Sequence, residues 1–384
     1  MKQLLISMFK ANSTSSCFRL ISRSTIMLRT IKVAVPLAVI STVGILSAQA
    51  VAGISGASRF YKFVLFTTAS FFLYILAQST YWRAAKTGWK IATACYTNNI
   101  TYEKLRWALA SAMQSSVFYI WFNRLDEHFL QPFLKINPRL ALKPVRVYMS
   151  TRWKIEQKVK VIIDTYQFIW LRGGFLQNSL LQPNGNVLAR TCLGKHGHAT
   201  ILLSYNNQFR KEGELVLSLW VDALTRAVAF LSFSLECHPD GSCTCYVGCL
   251  QGSKEGHQKE NVITASKAMH GLRPKAALVF TVQEIARAIG AGKLLGVGSS
   301  IQAHRRKHLL HIPFLHDYTF NYDATWIDAG GVPDTDGWFR LPLKTHRHSH
   351  EEIKSNKRSM YLRRYAMMDD FAQQISSLLH VQDV

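Results

Sequence analysis

The nine residues "KAMHGLRPK" (267–275) carry four basic side chains, and basic groups at this density are typical of sites that bind anions. The four are Lys267, His270, Arg273 and Lys275. Pro274 favours the first turn of a helix, where free backbone N–H groups and a partial positive charge also attract an anion. The stretch therefore predicts a site for an anionic ligand. The structural alternative is a set of solvated helix caps, or ion pairs with Glu212, Glu214 or Glu260.

Two glutamates and two histidines have the chemistry that proton transfer needs. A buried carboxylate, or an imidazole that titrates near neutrality, can act as a general base. The candidates are Glu212 and Glu214 in "RKEGE", together with His270 and His304. For the glutamates the alternative is a solvated approach to a hairpin. Arginines beside His304 in "HRRKHLLH" would repel a metal ion, so no metal site is predicted.

The segment "NYDATWIDAGG" (321–331) combines a phenol, a carboxylate and an indole ahead of two glycines. Tyr322, Asp323 and Trp326 could together form the floor of a ligand pocket, because Tyr and Trp bury well when their polar atoms find a partner. The structural alternative is an ion pair between Asp323 and Arg363 or Arg364.

The elements that must position these side chains can be predicted from periodicity. "GELVLSLWV", "RAVAFLSFSLEC" and "SCTCYVGCLQG" alternate as strands do, and Asp240-Gly241 predicts a tight hairpin between the last two. "ENVITASKAMH" and "PKAALVFTVQEIARAIG" predict two helices that end at Gly271 and Gly290, and "KLLGVGS" predicts a short buried strand. Residues 267–275 are therefore the elbow between two helices, at the rim of a layered fold.

The region before these strands has a different pattern. Between residues 100 and 170, apolar residues recur at spacings of three and four, which indicates helices. The predicted fold class is therefore α+β: a helical N-terminal half, then an antiparallel meander of three strands, a helix pair and a further strand.

Four of the seven cysteines lie close together, at Cys237, Cys243, Cys245 and Cys249. Their spacing lacks the paired C-x-x-C pattern of a zinc site. On a regular strand, Cys243, Cys245 and Cys249 would share one face. We interpret them as small apolar side chains of a sheet.

The net charge of +23 indicates an anionic partner, either an anionic membrane lipid or a phosphorylated ligand. No nucleic-acid-binding motif is visible, so nucleic acid is not the expected partner. Two uncharged apolar runs, 33–58 and 63–82, are each long enough to cross a bilayer as a helix. They divide the chain into a basic N-terminal region, 1–83, and a main domain, 84–384.

Three interpretations of these apolar runs compete. In the first, the two runs form a membrane hairpin with basic residues on both flanks. The positive-inside rule places such flanks in the cytoplasm, which predicts an inner-membrane protein whose main domain is cytoplasmic. A signal peptide that begins at Met27 would instead export the chain to the periplasm. Buried core helices are the third interpretation.

Several of these segments resemble the VirK/YbjX family of bacterial proteins. The segments are, in order, "LKPVRVYMS" (142–150), "QFRKEGELVLSLW" (208–220), "YVGCLQG" (246–252), "KAMHGLRPK" (267–275), "NYDATWIDAGG" (321–331) and "KRSMYLRRYAMMDD" (357–370). The resemblance covers roughly residues 83–370 and leaves out the apolar runs. One departure is Thr165-Tyr166, where the family pattern has a His-Tyr pair.

The resemblance implies an envelope-stress and virulence-associated protein with no established reaction. Such proteins are linked to bacterial resistance to antimicrobial peptides or to the localisation of surface proteins. A non-catalytic chaperone or adaptor for surface proteins is one alternative. The other is an acyl-CoA-dependent transferase acting on an envelope component, because the predicted order of elements is also that of the GNAT acyltransferases. Coenzyme A would then be the cofactor, and Gln251 and Gly252 would open its phosphate-binding loop, although Lys254 stands where that loop needs a glycine. Fold analogy does not fix function.

Overall fold

The computed structural model describes residues 68, 80–96, 101–253, 258–303 and 321–379. The chain divides into two compact units, Met1–Leu125 and Asp126–Val384. The described part of the first unit holds helices α1 (Thr80–Cys95), α2 (Thr101–Met113) and α3 (Ser115–Arg124). Helix α1 packs on both of the others. The domain boundary at 83/84 stays a prediction.

The expected inner-membrane location needs correction. The apolar runs 33–58 and 63–82 lie outside the described residues, apart from Thr68 and the last three positions of the second run. Within the ranges that the structure does describe, no helix combines the length and the apolar character that crossing a bilayer requires. The prediction of an inner-membrane protein with a cytoplasmic main domain is therefore wrong for this part of the chain. The leader sequence that was the alternative also lies outside the described residues.

The second unit opens with helices and continues into a sheet. Its first helices are α4 (Gln131–Ile136), a 3-10 helix (Pro138–Val145), α5 (Ile155–Arg172) and α6 (Gly174–Leu181). The strands are β1 (Asn186–Cys192), β2 (His198–Ser204), β3 (Leu215–Val221), β4 (Ala229–Cys237), β5 (Cys243–Gly252), β6 (Ala291–Val297), β7 (Val332–Pro333) and β8 (Trp338–Leu341). Four further α-helices lie in the described part of this unit: α7 (Gln258–Ala268), α8 (Pro274–Ala288), α9 (Tyr322–Asp328) and the long α10 (Arg358–Leu379).

The described strands form one sheet in the order β1-β2-β3-β4-β5-β6-β8-β7. Neighbours are antiparallel except for β5 and β6, which pair in parallel because the helix pair α7–α8 connects them. The predicted meander is confirmed as β3, β4 and β5, and Gly241 takes the left-handed φ of +83° that the hairpin turn needs. The α+β fold class is confirmed.

A β-bulge changes the direction of side chains in the middle of β5. Phe233 pairs with Val247 but Ser232 pairs with Cys249, so Gly248 is the extra residue. A side chain at Gly248 would collide with the backbone oxygen of Glu212, which explains the glycine. The bulge turns Cys249 to the opposite face from Cys243 and Cys245, so the expectation that the three share a face is wrong.

Helices cover this sheet. Helix α5 packs on β4, where Gln157 donates to the Glu236 carboxylate at 2.9 Å. Helix α8 packs on strands β3 to β6 and also on α10, and α10 packs on β1. The contact between α8 and α10 brings the start of α10 to the α7–α8 turn.

Candidate functional site

The turn between α7 and α8 has an unusual backbone. His270 has a φ of +53° and Gly271 a φ of +79°, so two successive residues are left-handed. The Gly271 N–H donates to the Ser266 carbonyl at 2.7 Å and thereby caps α7, as predicted. Arg273 is the N-cap of α8 and Pro274 its first residue. The elbow is therefore a tight reversal with basic side chains on both sides.

A surface cavity of about 670 Å³ opens at this elbow. Three of the predicted residues line it, Lys267, His270 and Arg273. Helix α10 adds Met360 and Arg363. The remaining lining residues are Val262, Ile263, Ser266 and Gly271. We call this space the elbow cavity.

The positive charge of the elbow cavity has no acidic partner among the described residues. Lys267, Arg273 and Arg363 make no ion pair with any residue that the structure describes, and the described lining includes no Asp or Glu. Partial burial lowers the pKa of His270, and the nearby charges of Arg363, His196 and Arg364 lower it further. The pKa of His270 therefore lies below its usual range, first because the imidazole is partly buried and then because the site is already positive.

Arg364 holds the elbow from the other side. Its Nε donates to the His270 carbonyl oxygen at 3.0 Å, and its guanidinium lies 4.2 Å from the ring centroid of Tyr361. Arg363 and Arg364 are adjacent in sequence but have different roles. Arg363 lines the cavity, and Arg364 holds the backbone of the turn at His270.

Other predicted ligand-binding residues lie elsewhere. Lys275 is not among the described residues that line the cavity; burial lowers its pKa, and it lies near the Cys249 thiol. Gln251 and Gly252 end β5 and pair with Phe230 and Ala229. The loop after them, at 254–257, lies outside the described residues, as does His304.

Glu214 is the centre of a buried polar group that we call the core polar cluster: Lys143, Tyr148, Tyr166, Glu214 and Ser234. Its carboxylate accepts from Lys143 Nζ at 2.5 Å and from the Tyr166 hydroxyl at 2.7 Å. The Tyr148 hydroxyl lies 2.7 Å from Ser234 Oγ, which accepts the Glu214 N–H. Burial and the charge of Glu214 raise the pKa of both tyrosines. The solvated alternative for Glu214 is wrong, since its side chain is fully buried.

Glu212 belongs to a second buried group. Its Oε1 accepts from Gln302 Nε2 at 3.0 Å, and its side chain is buried as well, so the solvated alternative is wrong here too. Burial, Cys249 and Glu212 raise the pKa of Tyr322, whose hydroxyl donates to Cys249 Sγ at 3.5 Å. The phenol of α9 therefore reaches β5 close to Glu212.

The other two residues predicted to form the floor of a ligand pocket, Asp323 and Trp326, bind backbone groups at the end of β6 and just after it. Asp323 Oδ1 accepts the Ser299 N–H at 2.6 Å, and Trp326 Nε1 donates to the Val297 carbonyl at 2.8 Å. The ion pair considered for Asp323 is wrong, because Arg363 lines the elbow cavity and Arg364 binds the His270 carbonyl. Trp326 is fully buried, so it packs the core beneath β6.

Comparison with known proteins identifies the family. The family model described as "Protein of unknown function (DUF535)" matches residues 98–377, most of the chain. The chain belongs to the DUF535 family. It is 27% identical over 279 residues to "Uncharacterized protein YbjX" of Escherichia coli (strain K12), covering 71% of this chain and 82% of that one. This confirms the resemblance to VirK/YbjX proteins.

A second relative of this DUF535 protein is an "Uncharacterized protein" of Haemophilus influenzae (strain ATCC 51907 / DSM 11121 / KW20 / Rd). The two are 33% identical over 179 residues, 46% of this chain and 56% of the relative. No solved structure matches the chain. The matched region includes the elbow, all but the last two residues of α10, and the core polar cluster, so these features belong to the family domain.

Sequence reasoning missed several residues of these sites. Lys143 and Tyr148 lie in "LKPVRVYMS", and Tyr166 lies in the altered Thr165-Tyr166 pair, so the resemblance had marked all three. Thr165 is buried and its Oγ1 donates to the Val161 and Leu235 carbonyls, so it secures α5 to β4. Met360 and Arg363 lie in "KRSMYLRRYAMMDD"; the sequence suggests no role for Met360 and only an ion pair with Asp323 for Arg363.

Proposed function

We propose that this protein binds an anionic, phosphate-bearing ligand in the elbow cavity. The observation that carries the proposal is the lining itself: Lys267, Arg273 and Arg363 surround one cavity without an acidic partner among the described residues. Like charges repel when they are held together, so an anion bound between them relieves that repulsion. Each charge-assisted hydrogen bond to a phosphate oxygen would contribute about 1.5 to 3 kcal/mol.

The apolar part of the lining favours an amphiphilic ligand. Val262 and Ile263 on α7 are partly exposed large apolar side chains, and Met360 lies opposite on α10. Cations beside apolar side chains suit a phosphate group attached to an apolar body. An anionic phospholipid has this chemistry, and so does a soluble phosphorylated molecule with an apolar portion.

The ligand chemistry agrees with the role that the VirK/YbjX resemblance implies. We propose action on anionic envelope lipids as the basis of the envelope-stress and virulence-associated role. A chain with a net charge of +23 repels cationic antimicrobial peptides, so their direct capture is disfavoured. Anionic lipid, in contrast, is attracted.

The test compares two forms of the same phosphate chemistry. One arm measures co-sedimentation of the full chain with vesicles of phosphatidylglycerol and phosphatidylcholine. The other arm measures binding of inorganic pyrophosphate by calorimetry. Arg273→Ala and Lys354→Ala each remove one positive charge, but only Arg273 lines the cavity, whereas Lys354 is exposed elsewhere. The pair therefore separates a local contact from the overall charge.

We expect Arg273→Ala to weaken binding about tenfold or more, and Lys354→Ala to change it less than twofold. Binding to vesicles alone would identify a lipid headgroup, and binding of pyrophosphate alone would identify a soluble ligand. Equal effects of the two variants would overturn the proposal, because they would show that only the net charge matters.

One observation favours the acyltransferase as a second candidate. The antiparallel β3–β5 meander is followed by a helix pair and by β6, which pairs with β5 in parallel, and this is the order of elements that suggested the GNAT analogy. Glu212 and Glu214 would then be the candidate bases. Native mass spectrometry of the purified chain tests this function: bound coenzyme A would support it, and its absence after incubation with coenzyme A would argue against it.

A further inference from the structure

Two cysteines face each other across the β4–β5 hairpin. Cys237 and Cys243 are paired in the strand register, and their Sγ atoms are 3.1 Å apart. A disulfide needs a separation of about 2.05 Å, so the two sulfur atoms are within about 1 Å of bonding distance. Directly opposite residues of an antiparallel pair have Cβ atoms about 4.5 to 5.5 Å apart, which meets the upper end of the range of about 3.5 to 4.5 Å found in disulfides.

The surrounding hydrogen bonds hold this geometry in place. The Cys237 N–H donates to Asp164 Oδ2, and the Cys237 carbonyl accepts from Lys160 Nζ, each at 3.0 Å. On the turn side, the His238 N–H donates to the Ser242 carbonyl at 2.8 Å. Helix α5 and the hairpin turn therefore hold the backbone around the pair in place, and the sulfur atoms have only about 1 Å left to close.

The two thiols have different electrostatic surroundings. The hydrogen bond between the two thiols lowers the pKa of Cys243, as do the charges of Arg172 and Lys160, while burial and Asp164 oppose this. The same hydrogen bond, together with burial, raises the pKa of Cys237. A lower pKa favours the thiolate, so Cys243 is the thiol of the pair that is better suited to attack an oxidant, and Cys237 the one better suited to resolve it.

We propose that Cys237 and Cys243 are a reversible dithiol–disulfide pair that peroxide oxidises. Both side chains are largely buried, but they adjoin the exposed turn at 239–241, through which a molecule as small as hydrogen peroxide can approach. The interpretation of small apolar side chains still describes Cys245 and Cys249, which are fully buried.

The chemistry balances with hydrogen peroxide as the oxidant. The Cys243 thiolate attacks one peroxide oxygen, the O–O bond breaks, and the sulfur becomes a sulfenic acid while hydroxide leaves and takes up a proton as water. Cys237 then attacks the Cys243 sulfur, the S–O bond breaks, and a second water leaves. Two thiols and one peroxide thus give one disulfide and two waters. A dithiol reductant reverses the change.

The test counts free thiols in the full chain. The protein is treated with hydrogen peroxide, denatured, alkylated with N-ethylmaleimide and weighed intact, then digested to locate any cross-link. We expect two fewer alkylated cysteines than the seven of the reduced chain, and a cross-linked peptide joining Cys237 to Cys243. Dithiothreitol should restore all seven.

Serine variants supply the controls. Cys243→Ser should abolish the cross-link, whereas Cys192→Ser, at an exposed cysteine of β1, should leave it intact. The decisive result is whether the wild-type protein forms the Cys237–Cys243 cross-link. The test therefore does not depend on whether the serine variants fold. Oxidation of Cys192 without a Cys237–Cys243 cross-link, or a cross-link that forms only between chains, would overturn it.

Discussion

Arg364 donates a hydrogen bond from its Nε to the carbonyl oxygen of His270 at 3.0 Å, and so ties helix α10 to the left-handed turn between α7 and α8. The contact joins residues 94 positions apart in the chain. It places Arg363, the preceding residue, at the elbow cavity. The positive lining of the cavity therefore depends on how the C-terminal helix docks.

The variants Arg363→Gln and Arg364→Gln should distinguish ligand binding in the elbow cavity from the packing of helix α10 against the α7–α8 turn. Arg364→Gln loses a partly buried charged hydrogen bond and a cation–π contact, which should lower the free energy of unfolding by about 1 to 3 kcal/mol. Arg363→Gln should leave stability nearly unchanged and weaken vesicle binding. Urea unfolding and co-sedimentation of the two variants measure both effects. Identical stability losses would contradict the assignment.

Gly271→Ala should destabilise the elbow more than Gly290→Ala destabilises the end of α8. Both glycines are left-handed, so either alanine costs about 1 kcal/mol of strain. Only at Gly271 would the new Cβ also meet a neighbour, 2.6 Å from an Arg364 terminal nitrogen, whereas Gly290 has open space. Thermal melting of both variants gives the difference. Equal melting temperatures would show that Arg364 moves aside freely.

Lys143→Met should strongly destabilise the fold, because it leaves the buried Glu214 carboxylate without its cationic partner. Removing one member of a buried ion pair costs about 3 to 5 kcal/mol. The double variant Lys143→Met/Glu214→Gln should recover much of this loss, since the amide is neutral and its oxygen can still accept from Tyr166. Denaturant unfolding of both variants tests the pair. A double variant as unstable as the single one would show that the charges are not coupled.

Vesicle binding should strengthen as the pH falls below 6.5, in a way that depends on His270. The pKa of His270 is lower in the folded, ligand-free protein than in the unfolded chain. Its contribution to the free energy of unfolding is therefore fully present above pH 6.5 and is lost as the pH falls through the folded pKa. A bound anion favours the protonated imidazole, so affinity rises over the same window. Phosphatidylglycerol is the suitable probe because its phosphodiester does not titrate there.

His270→Asn supplies the comparison for this pH effect, since asparagine tolerates the left-handed conformation. Other histidines, including nearby His196, also gain charge at low pH, so wild type and variant should both bind more strongly. We expect the increase to be smaller in His270→Asn. An identical increase would remove His270 from the site.

The local part of the elbow was predictable from sequence. Gly271 ends one helix and Pro274 begins the next, and both signals depend only on the conformations these residues allow. The hairpin at Asp240-Gly241 was predictable for the same reason. Strands β1 and β2 were not, because "NVLARTC" and "HATILLS" are short, mix polar with apolar residues and lie in a polar stretch of the chain; β1 is also the edge strand of the sheet.

Contacts between distant segments could not be predicted. Glu214 and Lys143 are 71 residues apart, and only the fold shows that the carboxylate is buried against that lysine. Arg363 enters the cavity for a similar reason, through the docking of α10 on α8. The position of Cys249 depends on the bulge at Gly248, which alternation alone cannot reveal.

The most direct test of the elbow cavity as an anion site is the substitution Arg273→Lys, which keeps the charge and removes the planar fork that grips two phosphate oxygens. Arg273 is exposed, and its guanidinium makes no hydrogen bond within the described residues, so the melting temperature should change by less than about 2 °C. The dissociation constant for phosphatidylglycerol vesicles, or for pyrophosphate if that is the ligand bound, should rise about tenfold. An unchanged dissociation constant, or a loss of binding matched by an equal loss of stability, would contradict the account.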